Sequence, residues 1–288
     1  MTDRWISETL FDDSGIRASY RATRILQEIK TAHQHLLLFE NLLFGKVLML
    51  DGATQVTSAD EFIYHEMMSH VPILAHGRAR DVLIVGGGDC GIAKEVLKHQ
   101  AVTSLVQVEI DASVVDFARE HFPEFTDPVL SDPRFELVID DGMAFVMKTA
   151  RRFDVVIVDS TDPHGPGEVL FTEAFYRGVK NCMKPGGVMV TQSGVAFLQP
   201  DVVQSCVTTF RKLFADGSCY IAAIPTYTGG HLAMGWASDD AALREVPVEE
   251  LRRRYEQAGA FVTKYWTPEV HRAAFALPRY IADRIAQP

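Results

Sequence analysis

The sequence predicts an α/β protein: a doubly wound, largely parallel sheet with helices on both faces, preceded by a small β region. Two rhythms carry this. From residue 82 onward apolar runs alternate with amphipathic ones, "DVLIVGG", "GIAKEVLKH", "TSLVQVEID", "ASVVDFAREHF", "RFELVIDDG", "MAFVMKTA", "FDVVIVDS", "EAFYRGVKNCM" and "GGVMVTQSG", as strands and crossover helices do. Upstream, from "RILQEIKT" through "HLLLFENLLFGKVLMLDGATQVT", short apolar runs are cut by "EN", "FG" and "DG" and read as hairpins. A third observation places a ligand site: "VLIVGGGDCG", residues 82 to 91, reads as a buried strand entering a glycine turn.

Taken in order, "KVLMLDG" is apolar on both faces of its strand, more than a lone hairpin can cover. Packing against the main domain or another subunit is expected, and with it a homo-oligomer. "SADEFIYHEMMSHVPILAHG" reads as a helix, with Ser58 or Asp60 as its cap and Phe62, Ile63, Met67 and Val71 as its apolar stripe. The boundary between the β region and the larger domain is placed near residue 65, giving 1–65 and 66–288. After the alternating stretch come a helix near "PDVVQSCVTTFRKLF", two β segments, "SCYIAAIPTY" and "HLAMGWAS", and a mostly helical tail. No repeat or low-complexity segment interrupts the chain.

At 288 residues the chain can bury a substantial core. Its 28 basic and 38 acidic side chains leave a formal charge of −10, which argues against nonspecific binding to nucleic acid or anionic membrane and accords with a cationic small substrate. The four cysteines, Cys90, Cys182, Cys206 and Cys219, show no CxxC spacing, so neither a zinc ribbon nor a disulfide framework is expected. The opening "MTDRWISETLFDD" lacks the basic start and apolar run of a signal peptide, and no later stretch approaches the roughly 20 apolar residues of a membrane span. A cytoplasmic protein with reduced thiols is expected.

In a doubly wound sheet, ligands bind at the carboxyl ends of the strands. Here four consecutive strand ends carry acids: Gly86, Gly87, Gly88 and Asp89; Glu109 and Asp111; Asp140, Asp141 and Gly142; Asp159 and Asp162 of "DSTDPHGPG". Glu109, 23 positions after Gly86, sits where an acid accepts hydrogen bonds from both ribose hydroxyls. With the turn it points to a nucleoside site. Asp141 before Gly142 either caps a helix or accepts from an adenine amino group, and the two roles are compatible. The apolar strand before Asp159 implies a carboxylate near the centre of the domain, where charge needs a compensating partner such as a bound amine; the competing reading is a turn in which Asp159 and Asp162 bond backbone NH groups. "HEMMSH" resembles a zinc-protease helix, but His65 and His70 are five apart, about 140° around a helix. No metal site is expected. His33 and His35 read as strand-surface residues, and Tyr227 in "IPTYTGG" belongs to a hairpin turn or a site loop.

These residues together resemble the spermidine synthase, or polyamine aminopropyltransferase, family. The ordered match runs from "WISETL" through "GATQVTSADEFIYHEMMSHVPILAHG", "GGGD", "VEID", "DDG", "DSTDPHGPGEVLF" and "IPTYTGG" to "FALPRYI". The resemblance implies a small N-terminal β domain before a Rossmann-like, methyltransferase-type domain, assembled as a homodimer or homotetramer. It implies transfer of an aminopropyl group from decarboxylated S-adenosylmethionine, a co-substrate rather than a cofactor, to a diamine, usually putrescine. Gln34, Gly86, Gly88, Glu109, Asp141, Gly142 and Pro166 then fall on the donor nucleoside, Asp89 on the donor's aminopropyl amine, and Tyr64, His65, Asp159, Asp162 and Tyr227 on the acceptor side, with Asp159 at the position of the catalytic base.

The chain departs from the family at Cys90, where a glycine usually follows the aspartate of "GGGD". A side chain there predicts an ordinary backbone or a slightly displaced helix start, since a positive φ would strain cysteine by about 1 kcal/mol, and it puts the thiol near the donor. Two other readings fit the same fold: a methyltransferase using intact S-adenosylmethionine, against which Asp89 and "DSTD" argue, and a catalytically silent module that senses polyamines or nucleosides. The choice among putrescine, cadaverine, agmatine and spermidine is not written in these motifs.

Overall fold

The computed structural model describes residues 4–31, 34–163 and 165–287, with the backbone alone at 165 and 166. Strands β1 (Arg4–Ser7) and β2 (Ser19–Ala22) form an antiparallel pair. Strands β3 (Arg24–Lys30), β4 (His35–Asn41), β5 (Gly45–Leu50) and β6 (Ala53–Thr57) form a four-stranded antiparallel meander, as the hairpin reading expects. The apolar residues on both faces of this meander are covered within the chain. Leu36, Leu38, Leu48 and Val56 pack on Phe117, Phe122 and Phe125 of the larger domain, while Leu37, Phe39, Val47 and Met49 pack on Ile6, Tyr20 and Ala22 from the β1–β2 pair. The two-sided hydrophobicity of "KVLMLDG" therefore needs no second subunit.

Helix α1 (Glu61–His76) follows. It starts at Asp60, but neither expected capping side chain caps it: Asp60 is drawn to Thr57 and Thr226, and Ser58 Oγ accepts from the Lys46 amide at 3.0 Å. The helix is buried around nearly its whole circumference rather than along one stripe, with Phe62 and His76 its partly exposed members. It ends at Gly77, whose φ of +73° makes a left-handed cap. Residue 65 falls inside α1, and the helix packs on the large sheet.

That sheet is built from β7 (Asp81–Gly86), α2 (Gly91–Leu97), β8 (Ser104–Glu109), α3 (Ala112–His121), α4 (Pro123–Leu130), β9 (Phe135–Ile139), α5 (Gly142–Lys148), β10 (Phe153–Asp159), α6 (Glu173–Cys182), β11 (Met183–Val195), α7 (Pro200–Leu213), β12 (Asp216–Ala223) and β13 (His231–Ser238); α8 (Val248–Gln257), α9 (Pro268–Ala274) and α10 (Arg279–Ala286) complete the tail. The strand order is β12-β13-β11-β10-β7-β8-β9, with the last five parallel and the β12–β13 hairpin antiparallel. The arrangement is Rossmann-like. Its strands are apolar throughout because each face is covered: Ile84, Val155, Ile157 and Val190 meet Met67, Val71 and Leu74 of α1, and Leu83, Val85, Val156 and Val158 meet Val146, Phe175 and Val179 of α5 and α6. From β7 the chain winds outward to β8 and β9 on one side, then returns to β10 and β11 on the other. The switch point therefore lies between β7 and β10, where Asp159 pairs with Gly86.

Candidate active site

The close approach of β7 and β10 demands glycine. A Cβ on Gly86, whose φ is +86°, would lie 2.0 Å from the Asp159 carbonyl oxygen, and one on Gly88 would lie 2.7 Å from Val114 and 3.0 Å from Glu109 Oε2. Gln107 Nε2, donating to the Gly87 carbonyl at 2.6 Å, holds the turn from below. Cys90 corrects the expectation of an ordinary backbone: its φ is +65° and ψ 9°, a left-handed conformation that favours glycine. The thiol is fully buried, is not part of the cavity wall, and is pushed up to about 12 by burial and by Asp89 and Glu109. Packing under the turn keeps the strained backbone in place.

Above the turn lies a cavity of about 550 Å³, lined by every expected site residue whose side chain is described. Pro166 belongs to the 3-10 turn Gly165–Phe171, and its side chain lies outside the described residues, as does His33. On the side of β8 and β9, Glu109 Oε1 accepts the Asp111 amide at 3.0 Å, and burial, with smaller contributions from Asp159 and Asp111, pushes its carboxyl up to about 7. Gln34 Nε2 reaches Asp111 Oδ2 at 3.4 Å. Asp141 Oδ1 caps α5 through the Ala144 amide at 3.0 Å while facing the cavity. Gly142 lets α5 seat on the sheet, since a Cβ there would meet Val85 at 2.5 Å.

On the other side, Asp159 Oδ1 accepts the Tyr64 hydroxyl at 2.6 Å. Burial and the neighbouring Asp89 charge raise Asp159 to about 6, against the opposing effects of Tyr64 and His65. Asp89 is held below the usual carboxylate range: burial works to raise it, but His65, the Gly91 amide at 2.8 Å and Lys94 outweigh burial. His65 Nδ1 lies 2.6 Å from Glu61 Oε2 and its Nε2 3.5 Å from Asp89 Oδ2, and these two carboxylates overcome burial to raise the imidazole to about 10. His70 faces elsewhere, to His99 at 3.0 Å and Glu95 at 3.2 Å. Tyr227 stacks edge-on against Tyr64 with ring centroids 5.9 Å apart and donates its hydroxyl to the Gln55 carbonyl at 2.6 Å. It sits in the β12–β13 turn, so that turn is also a site loop.

Several residues at this site escape the sequence reading. Asp162 Oδ1 accepts from Gln199 at 2.6 Å and Gln192 at 3.4 Å, both brought in by β11 and the turn before α7. Glu8 lines the same end of the cavity, accepts the Thr54 amide at 2.7 Å and has its carboxyl raised by burial. Glu61 alone had a local signal, its i, i+4 spacing to His65. Among the described residues no group of three or more His, Cys, Asp or Glu side chains is arranged to hold a metal, and no helix is long and apolar enough to cross a membrane.

A Rossmann-like sheet with an acid-rich cavity at its switch point, bordered by a small β meander, defines an α/β protein with a small-molecule site. Residues 61–247 match the family model of the spermine/spermidine synthase domain, and residues 4–58 match that of the spermidine synthase tetramerisation domain. The chain is 50% identical over 280 residues to polyamine aminopropyltransferase 1 of Pseudomonas aeruginosa, covering 97% of each, and 51% identical over 278 residues to the polyamine aminopropyltransferase of Pseudomonas syringae pv. tomato, covering 96% of each. A crystal structure of spermidine synthase in complex with the transition-state analogue AdoDATO superposes with a TM-score of 0.92 at 32% identity, covering 100% of this chain and 97% of that one; the spermidine synthase of Thermotoga maritima gives 0.91 at 32%, covering 100% and 96%. The chain belongs to the spermine/spermidine synthase family and is a polyamine aminopropyltransferase.

Proposed function

We propose that the protein transfers an aminopropyl group from decarboxylated S-adenosylmethionine to putrescine, giving spermidine and methylthioadenosine. The observation that carries this reading is the pair of carboxylates on adjoining strand ends, Asp89 held low and Asp159 raised to about 6, facing one cavity. Asp89 provides the anionic contact for the donor's aminopropyl ammonium, and it would repel the carboxylate that intact S-adenosylmethionine carries there. Glu109 takes the ribose hydroxyls; Gln34, Asp141 and Gly142, with Pro166, border the base and ribose.

A protonated diamine has no lone pair. Asp159, ionised above pH about 6, accepts a proton from the reacting ammonium, and the freed amine attacks the carbon next to the sulfonium. The C–N bond forms as the C–S bond breaks, and the sulfur leaves as a neutral thioether. Tyr64 orients Asp159, while Tyr227 and Asp162 line the acceptor path. Glu8 and Asp162 supply a second acidic pair at the far end, suited to the other ammonium of a short diamine. The displacement as written calls for no metal or redox cofactor; alignment of nitrogen, carbon and sulfur supplies much of the acceleration.

The match of residues 4–58 to a tetramerisation domain, with Trp5, Leu42 and Leu43 exposed in that segment, supports a homodimer or homotetramer. Four free, buried cysteines accord with a reducing compartment such as the cytoplasm. The experiment is mass spectrometry of products formed by the purified protein from the decarboxylated donor and a panel of amines. Spermidine from putrescine is expected as the dominant product. Asp159→Asn is expected to lose about 10²-fold or more in turnover, the scale of a removed general base, while keeping affinity for methylthioadenosine. A different favoured amine overturns the acceptor assignment, and normal turnover by Asp159→Asn overturns the base.

A further inference from the structure

Behind Asp89 runs a line of alternating charge whose far members, Glu61 and Lys94, do not line the cavity. Lys94 Nζ, on α2, lies 3.5 Å from Glu61 Oε1; the other oxygen of Glu61 lies 2.6 Å from His65 Nδ1; His65 Nε2 lies 3.5 Å from Asp89 Oδ2. Glu61 is the first residue of α1 and sits one helical turn before His65, on the same face. Both side chains are buried, 7% and 2% exposed, and Glu61 is absent from the cavity wall that His65 and Asp89 share. The ring is also held sterically. A Cβ on Gly91 would meet it at 2.0 Å, and the Phe125 ring stands edge-on to it at 5.7 Å, itself covered by Lys94 at 4.5 Å.

We propose that Glu61 is a positioning residue: through the Nδ1 proton of His65 it keeps the imidazolium charged and aimed at Asp89, so that Asp89 stays ionised beside Asp159. The inference rests on the reading of Asp89 as the contact for a substrate ammonium. Its logic is electrostatic. Two carboxylates facing one cavity favour a shared proton unless a cation stands beside them, and a cation as buried as His65 needs an anion of its own. Glu61 is that anion. The groups that face this line are Lys94 and Glu95 from α2, Asp89 from the glycine turn, Asp159 from β10, and Tyr64 from α1 itself. Glu95 opposes the charge of Glu61 and Lys94 supports it.

The test reads His65 directly. In ligand-free native protein with 15N-labelled histidine, both ring nitrogens of His65 are expected to be protonated at about pH 8, where an ordinary histidine is neutral. Glu61→Gln keeps an acceptor for Nδ1–H but removes the charge. His65 is then expected to titrate at least about three units lower, at about 7 or below, so that the cation beside Asp159 is lost within the acid limb of the kcat/KM profile and that limb moves to higher pH. KM for the decarboxylated donor is expected to rise about tenfold, more than kcat falls. Glu61→Asp, which restores the charge, is expected to bring the acid limb back toward the native position. A neutral His65 at about pH 8 in the native protein overturns the proposal without any variant. So do an acid limb unmoved in Glu61→Gln and identical profiles for Gln and Asp. The titration needs no substrate, so it stands or falls apart from turnover, whereas a native protein that turns over no amine overturns the assigned reaction.

Discussion

Cys90 holds a side chain on a backbone with φ +65°, a conformation that costs an L-residue about 1 kcal/mol and that glycine adopts freely. The turn tolerates it because the thiol fills a fully buried niche beneath Gly88, where Sγ lies 4.0 Å from the carbonyl. Relief of strain and loss of burial oppose each other in Cys90→Gly, so its stability is expected within about 1 kcal/mol of native. In Cys90→Val, a β-branched side chain in the left-handed region is expected to cost more than about 2 kcal/mol. Urea unfolding of the two variants checks this, and a Val variant as stable as native would contradict it. The thiol, protonated and buried, is expected to resist alkylation in the folded protein whether or not a nucleoside is bound. One residue's substitution in a motif was readable; its backbone angle was not, because φ is imposed by where β7 must end and α2 begin.

The strand ends of β7, β8, β9 and β10 each deliver an acid to one cavity, and the pattern was legible because fully buried parallel strands read as unbroken apolar runs with polar punctuation. Their chemistry differs by surroundings. Asp141 caps a helix at the surface of the site, while Glu109 is buried and raised to about 7. Ribose hydroxyls donating to Glu109 favour its ionised form, so binding lowers its pKa and releases protons where the free group is partly protonated. Affinity for methylthioadenosine is accordingly expected to fall as the pH drops from about 8 to about 6, and to lose this dependence in Glu109→Gln. Calorimetry in buffers of different ionisation enthalpy measures both the affinity and the proton release; affinity flat across this range contradicts the assignment. The helix α1 shows the limit of element-level reading. Asp60 looks like its cap, yet a partner 166 residues away claims the carboxylate.

That partner joins the two parts of the molecule. Asp60 Oδ2 accepts the Thr226 amide at 2.7 Å and Asp60 Oδ1 the Thr57 hydroxyl at 2.7 Å, while Thr226 Oγ1 donates to Asp60 at 2.6 Å and the Tyr20 hydroxyl donates to the Thr226 carbonyl at 3.3 Å. One residue on, Tyr227 donates to Gln55 of β6. The small meander thereby holds the β12–β13 turn over the end of the cavity that Tyr64 and Asp159 line, the side proposed for the acceptor. Asp60→Ala leaves the Thr226 amide buried without its acceptor, at a cost of about 1–3 kcal/mol. It is expected to lower the unfolding midpoint and to raise KM for the amine more than it weakens methylthioadenosine binding. Equal losses on both sides would show that the turn does not serve the acceptor alone.

By itself the sequence determined the α/β class, the meander before it, the strand ends that bear Asp89, Glu109, Asp141 and Asp159, and the ordered motifs that resemble the polyamine aminopropyltransferases. All of these are local: apolar period, turn chemistry and residue order survive without coordinates. Only the tertiary structure decided that the meander covers both its own faces within the chain, that Cys90 is left-handed and buried away from the cavity, and that Glu8, Gln192 and Gln199 reach the site from distant segments. It also decided the charge states, His65 raised beside two acids and Asp159 raised beside one. A carboxylate's type is written in the sequence, but its proton affinity depends on burial and on charges within a few ångströms, and those neighbours come together only when the chain folds.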